Sequence, residues 1–353
     1  MGITHNLVVD ESAAGQRVDR YLAEHLPELS RTRIQELIEA GLVRLDGAAT
    51  KGARKLRAGE AIRVEAQERA PMRAEAEAIP LEILYEDEDV VVVNKAAGMT
   101  VHAGAGNTRG TLVNALLGRG HALATGGDAL RPGIVHRLDK ETSGAIVVAK
   151  NDFAHARLAE AFARREVQKT YIALVEGKLQ ERAGRIELAI GRDVRQRTRM
   201  AVVREKGGGA QRASARAART DWRTLAEIDG TTLVEVHLHT GRTHQVRVHF
   251  SALKHPVVGD RLYGAAERLA VGEVQGRGGA RARGKATRDT KYLPELRRNF
   301  LHAAKLGFTQ PRTGAWVEVR APLPVELSNF LQQLASQSGE EREKIDAALR
   351  PFL

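Results

Sequence analysis

The 353-residue chain contains no cysteine. That absence excludes disulfides, thiolate nucleophiles and Cys-ligated zinc, the zinc of nucleobase deaminases included. Aromatic residues make up only 4% of the chain, so Leu, Val, Ala and Ile must fill most of any core. No apolar run approaches the roughly 20 residues that cross a bilayer. The opening MGITHNLVVDESAAG lacks the basic and apolar segments of a secretory leader. A cytoplasmic location with no membrane partner is therefore expected. No stretch reads as an obligate dimerisation element, which makes a monomer the default. The length suffices for two domains, and a hydrophobic fraction of 42% for a core of ordinary size in at least one of them.

Negative charge is in short supply. Against 55 Lys and Arg stand 44 Asp and Glu, a formal net charge of +11. The surplus is local. Residues 31–63 carry eight basic and four acidic side chains, 192–219 nine and two, and 261–300 ten and four. On one face, such patches would follow a phosphate backbone; singly, each is equally an ordinary solvated surface.

Residues 15–66 read as a small module. Val18, Leu22 and Leu26 recur at helical spacing. Ser30 is placed to cap a second helix, with Ile34, Leu37 and Ile38 on one face and Gly41 at its end. Leu42–Leu45 and Ala61–Val64 suit short strands, with Asp46-Gly47 and a basic loop between them. The pieces GQRVDRYLAEHLPELSRTRIQELIEAGLVRLDG and KLRAGEAIRV resemble the S4 RNA-binding domain. That resemblance implies RNA contacts at Arg31, Arg33, Lys51, Arg54 and Lys55.

Five segments are expected: an extension at 1–14, the S4-like domain at 15–70, a linker at 71–80, a catalytic domain at 81–325 and a helical tail at 326–353. The linker follows from QERAPMRAEAEAIP, rich in charge and Ala. In the larger domain Val90–Val93 and Ala145–Ala149 read as buried strands, Asp152 as a helix cap, and Tyr171–Val175 and Ala315–Val319 as further strands. The fold class is α+β with a mixed sheet. Gly126-Gly127, Gly207–Gly209 and Gly276–Gly284 read as loops.

The strongest local pattern is RPGIVHRLDKETSGAIVVAK, residues 131–150. Turns at Pro132-Gly133 and Ser143-Gly144 hold a polar cluster of His136, Arg137, Asp139, Lys140, Glu141 and Thr142 between strands. Folds place chemistry in such loops, yet on these residues alone a capped charged turn explains the cluster as well. HRLDKETSG, however, resembles the motif of the RluA-like pseudouridine synthases, and two further blocks agree in order: VQKTYIALVEG at 167–177 and HTGRTHQVRVHFSALKHPVVGDRLYG at 239–264. VHAGAGNTRGTLVNALL is most similar to the branch acting on large-subunit ribosomal RNA. The resemblance spans about residues 15–325 and implies a mainly antiparallel catalytic sheet. It departs from the family where Ala96 and Ala103 replace usual prolines and where the Arg-Gly stretch after Tyr263 is long.

The resemblance implies isomerisation of uridine to pseudouridine in large-subunit ribosomal RNA, without cofactor or metal. Asp139 becomes the catalytic carboxylate, Tyr171 the active-site tyrosine and Arg247 the partner that keeps Asp139 ionised. Arg137 would fill the stack vacated by a flipped nucleotide, with His136 beside it on the RNA. Whether Asp139 bonds to C1′ or abstracts the C2′ proton stays open. Around Arg247, Val246, Val248 and Phe250 suit a strand and Val246, Phe250 and Leu253 a helix capped by Thr243; the family has a helix there. His237, His239, His244 and His249 complete no metal pattern, and Gly104-Ala105-Gly106 is too short for a dinucleotide loop. A ribosome-assembly factor would not need Asp139, Tyr171 and Arg247 together, and a hydrolytic glycosylase would release the base.

Overall fold

The computed structural model describes residues 2–27, 29, 31–67, 74–104, 108–125, 130–196, 198–203, 215–271, 291–293, 295–338 and 342–352. The Ser30 cap and the three glycine-rich loops expected at Gly126-Gly127, Gly207–Gly209 and Gly276–Gly284 lie outside the described residues. The chain divides into two compact units, Met1–Met72 and Arg73–Leu353.

In the first unit, helices α1 (Val18–His25) and α2 (Arg31–Glu39) accompany strands β1 (Gly2–Val8), β2 (Val43–Leu45), β3 (Ala48–Ala49) and β4 (Ala61–Gln67), in the order β1-β4-β2-β3. Val18, Leu22, Ile34 and Leu37 meet Val43, Ile62 and Val64 in one core, as their helical and alternating spacings demand. Asp46 and Gly47 both have positive φ, 47° and 80°, the backbone of a tight hairpin turn. Asp46 holds its place by accepting the Ala61 N–H at 2.9 Å. The first residues do not form a separate extension: β1 pairs antiparallel with β4 from Gly2 to Val8.

The second unit is built on a nine-stranded sheet among the described residues. Its strands are β5 (Glu82–Glu86), β6 (Val90–Lys95), β7 (Ser143–Ala149), β8 (Gln168–Glu176), β9 (Ala183–Glu187), β12 (Arg219–Ile228), β13 (Thr231–Leu238), β16 (Leu301–Thr309) and β17 (Trp316–Arg320). The order is β5-β6-β7-β16-β8-β13-β12-β9, with β17 also on β16. Only the β7–β16 pair is parallel; the others are antiparallel. A hairpin, β10 (Ile190–Arg192) and β11 (Met200–Val202), and a short ladder, β14 (Ala270–Val271) with β15 (Lys291–Tyr292), stand apart.

The continuous valine run of β6 has a simple cause: both sheet faces are covered. Val91 and Val93 join one core with α3 (Leu112–Gly118), α5 (Gln245–Ala252), α6 (Val325–Ser338) and α7 (Arg342–Leu349). Val90 and Val92 join the other with α4 (Asp152–Arg164). The tail packs here too, through Leu327, Phe330, Leu331 and Leu334.

Four local expectations need correction. Ser143-Gly144 is not a turn but the start of β7. There Gly144 adopts φ +118°, and a Cβ would lie 2.3 Å from the Ala303 carbonyl oxygen, so only glycine permits this approach to β16. Helix α4 is capped by Asn151, whose side chain accepts the Ala154 N–H; Asp152 instead accepts the Thr125 N–H. Residues 74–80 are not a free linker. The Glu75 carbonyl accepts from the Asn114 side chain at 2.7 Å and the Glu77 N–H donates to the Asn114 carbonyl at 2.9 Å. Helix α5 starts after His244, not at a Thr243 cap, with His244 in the left-handed region at φ 57°.

Candidate active site

The Asp139 loop runs from the bridge of Ile134 with Val148 to the start of β7. It is pinned along its length. His136 Nε2 accepts the Val147 N–H at 3.0 Å, and Leu138 is buried in the core. The Lys140 carbonyl accepts both the Gly98 N–H at 2.9 Å and Lys95 Nζ at 3.1 Å. Lys95 is fully buried, and its ammonium also donates to the Ala96 and Met99 carbonyls at 2.8 Å each. Burial, reinforced by the charge of Arg298, lowers its pKa to about 7. Ala96 in place of a proline leaves this tie between loops intact.

Arg247, on the first turns of α5, reaches the loop from the other side. Its Nη1 lies 3.3 Å from Asp139 Oδ2. Its stronger partner is Asp260, which takes Nε at 2.6 Å and Nη2 at 2.9 Å in a bidentate pair. The guanidinium also lies 4.9 Å over the Tyr263 ring. Burial opposes its charge, but the two carboxylates outweigh burial and raise its pKa. Asp260 thus fixes the cation, and the cation faces Asp139. His244 Nε2 stands 4.0 Å from the other Asp139 oxygen, and its Nδ1 meets the Tyr263 hydroxyl at 2.8 Å.

The polar residues of α5 itself are used to hold it in place. Gln245 accepts from the Thr240 hydroxyl and the Arg242 N–H and donates to the Arg219 carbonyl and Thr220. His249 bonds Thr220 and the Leu188 carbonyl. Among the described residues no His, Asp or Glu cluster could hold a metal ion. No described helix is long and apolar enough to cross a membrane.

Tyr171 sits in the middle of β8, opposite Val236 and Ala303. It lines two adjoining cavities, one of about 60 Å³ that includes Asp139 and one of about 500 Å³ that includes Arg137. Burial first, then the charge of Asp139, pushes its phenol well above the ordinary tyrosine range. The hydroxyl is therefore protonated in the free protein. The smaller cavity thus holds a carboxylate and an aromatic face, with an arginine paired to the carboxylate beside it.

Comparison with known proteins fits this arrangement. The family RNA pseudouridylate synthase matches residues 89–252, and the S4 domain matches residues 16–62. An uncharacterized RNA pseudouridine synthase of Chloroflexus aurantiacus is 43% identical over 332 residues, 94% of each chain. The ribosomal large subunit pseudouridine synthase D of Xanthomonas campestris pv. campestris is 41% identical over 339 residues, 95% of this chain and 94% of its own. Among solved structures, human RNA pseudouridylate synthase domain containing 1 superposes with a TM-score of 0.50 at 29% identity, covering 78% of this chain and 96% of that one. The chain belongs to the RluA-like RNA pseudouridine synthases, with an S4 domain. It is an RNA-binding isomerase.

Within that family frame, the structure brings together Asp139, Tyr171, Arg247 and Arg137. His136 does not fit the RNA contact expected of it. Its Nε2 is taken, its ring stacks on Phe162 at 4.6 Å, and burial, aided by Lys169, lowers its pKa to about 3. A neutral, anchored imidazole brings no charge to a phosphate. Sequence reasoning missed Asp260, Tyr263 and His244 as parts of the site. All three lie inside the block 239–264, but nothing in the pattern says which of its polar residues turn toward Asp139.

In the S4 unit the expected contacts differ among themselves. Lys51, Arg54 and Lys55 are exposed on a loop stapled to α1 through Val18 N–H to the Arg54 carbonyl and Asp19 N–H to the Gly52 carbonyl. Arg54 pairs with Glu60 at 2.8 Å and Arg33 with Glu36 at 3.1 Å. The Arg31 side chain lies outside the described residues.

Proposed function

We propose that this enzyme converts specific uridines of large-subunit ribosomal RNA to pseudouridine in the cytoplasm, acting as a monomer and with no cofactor. The observation that carries the catalytic part is Asp139 facing the Arg247 guanidinium at 3.3 Å in a cavity shared with Tyr171. Breaking the C1′–N1 bond builds positive charge on the ribose, and a fixed carboxylate stabilises that charge or bonds to C1′, as glycosidase carboxylates do. Proton abstraction from C2′ uses the same oxygen and the same place. The freed uracil turns against the Tyr171 face and rejoins through C5. Tyr171 then takes the C5 proton. Because its phenol starts protonated, it must release its own proton in the same step. The Asp139 carboxylate freed by C1′–C5 bonding accepts it and passes it to N1, which left the ribose as an anion, so that the carboxylate is regenerated.

The RNA assignment rests on the S4 domain and on the large-subunit synthase names of relatives such as that of Xanthomonas. Arg137, exposed at the mouth of the larger cavity, would replace the extruded base in the stack. The test compares large-subunit RNA from cells with and without the protein. Isomerisation leaves RNA mass unchanged while creating pseudouridine at defined positions. Loss of a base at those positions would indicate a glycosylase, and pseudouridine confined to other RNA would overturn the large-subunit reading.

A further inference from the structure

The larger cavity has a wall that the chemistry at Asp139 does not use. Arg165, Lys169 and Arg242 line it, and not one of its lining residues among those described is acidic. Burial first, then the charges of Arg165 and Arg242, disfavour the charged form of Lys169. Lys169 itself is half-buried on β8, two residues before Tyr171, with its ammonium 5.7 Å from the centre of the Phe162 ring. Arg165 ends α4 in the left-handed region at φ 63°, a conformation that favours glycine and costs a side chain. Arg242 spends its Nε on the Ala217 carbonyl, leaving both terminal nitrogens of its guanidinium. His239, which also lines the wall, is bonded to Asp221, and that carboxylate accepts from Arg219 and Arg185 as well. Gathering like charges away from carboxylates is unfavourable until an anion joins them.

We propose that Arg165, Lys169 and Arg242 form a phosphate subsite that takes the RNA backbone beside the nucleotide held at Asp139. The proposal rests on the catalytic reading of Asp139 and adds where the neighbouring backbone runs. The two cavities share Arg137, Tyr171 and Arg242 among their lining residues, so a nucleotide in the small one leaves its flanking phosphate in the large one. Arg242 reaches both. A phosphate there offers each cation a charge-assisted bond and removes their repulsion.

The experiment uses the full chain and a large-subunit RNA fragment in which the parent protein forms pseudouridine. Single methylphosphonate linkages, neutral and flanked by a 2′-O-methyl sugar, are walked past the target, with the 2′-O-methyl phosphodiester as reference. One linkage next to the target should weaken binding to the parent about tenfold and binding to Lys169→Gln clearly less, since only Arg165 and Arg242 then remain to meet the phosphate. That variant should also bind the normal RNA about tenfold more weakly, with a salt slope lower by about 0.7 to 0.9. Lys169→Arg should restore both. Lys178→Gln, the same charge loss at an exposed residue paired with Glu227, should leave the slope as it is. Should Lys169→Gln fail to fold, Arg165→Gln at an exposed helix end reads the same cycle. Equal losses in parent and variant at every linkage, or an unchanged salt slope, would overturn the subsite. A parent that binds the fragment but converts no uridine overturns the catalytic reading first, and the subsite with it.

Discussion

The two units of this chain treat positive charge in opposite ways. In Met1–Met72 the described cations named for RNA contact lie on helix α2 or on the loop before β4, with Lys51 and Lys55 exposed and Arg33 and Arg54 in ion pairs with Glu36 and Glu60. In Arg73–Leu353 the decisive cations are sunk into the fold. Lys95 is held by three carbonyls, and Arg247 by Asp260 beneath Asp139. An exposed cation can follow a phosphate wherever the RNA brings it, at little cost and with strong salt screening. A buried one is expensive to desolvate and holds its place only through a network. The first arrangement suits recognition, and the second suits chemistry that needs an atom fixed to within a fraction of an ångström. Substitutions can break that contrast in a graded way.

The largest effect belongs to Asp139. Asp139→Asn should lower tritium release from C5-labelled uridine by at least about 10³-fold, since an amide can neither bond to C1′ nor balance the developing charge. The fold should survive, because Arg247 keeps its bidentate pair with Asp260. Turnover within tenfold of the parent would remove Asp139 from the mechanism. Tyr171→Phe keeps the stacking face and loses the hydroxyl, so a rearranged species should accumulate before the final proton loss; a parental rate would make Tyr171 a packing residue alone.

Asp260→Asn comes next and probes the buried network rather than the reacting atoms. Removing one partner of a buried pair leaves an uncompensated cation, which costs about 3 kcal/mol or more. Arg247 should then turn toward Asp139 and disturb its aim. A lowered melting temperature together with a roughly 10²-fold slower single turnover is expected. A variant as stable and fast as the parent would show that Asp139 alone suffices to hold Arg247.

Residues such as Asp260 also mark the limit of what the chain disclosed before its structure. The strands Val90–Val93 and Ala145–Ala149 were legible because apolar runs of that length must be buried on both faces, and β6 and β7 are. The helices of the small unit followed from their spacing. Asp139 was legible through the resemblance, since its loop alone reads equally well as a capped turn. What stayed hidden was tertiary. β16, which pairs with both β7 and β8, is sequence-distant from each, so its register has no local cue. Ser143-Gly144 was misread for the same reason: its positive φ serves a strand 159 residues away, where Ser143 meets His302, rather than a turn. His136 was expected on the RNA beside Arg137, but its ring is bonded to the Val147 N–H, stacked on Phe162 and kept neutral by burial.

The smallest effect lies in the small unit and divides its own cations. Lys51 and Lys55 are exposed, with no ion pair for either among the described residues, whereas Arg33 and Arg54 must leave Glu36 and Glu60 before they can meet a phosphate. The loop itself is already fixed by its bonds to the start of α1, so little ordering stands between Lys51 or Lys55 and RNA. Neutralising Lys51 and Lys55 together should weaken binding to structured ribosomal RNA about tenfold and lower the salt slope by nearly two phosphate contacts. Neutralising Arg33 and Arg54 should cost about threefold, because part of their attraction is already spent on the glutamates. Titrations at several salt concentrations separate the two pairs directly. Equal losses from both would mean that the ion pairs open freely on RNA. No loss from either would mean that this unit, for all its S4 character, does not grip the RNA through this loop.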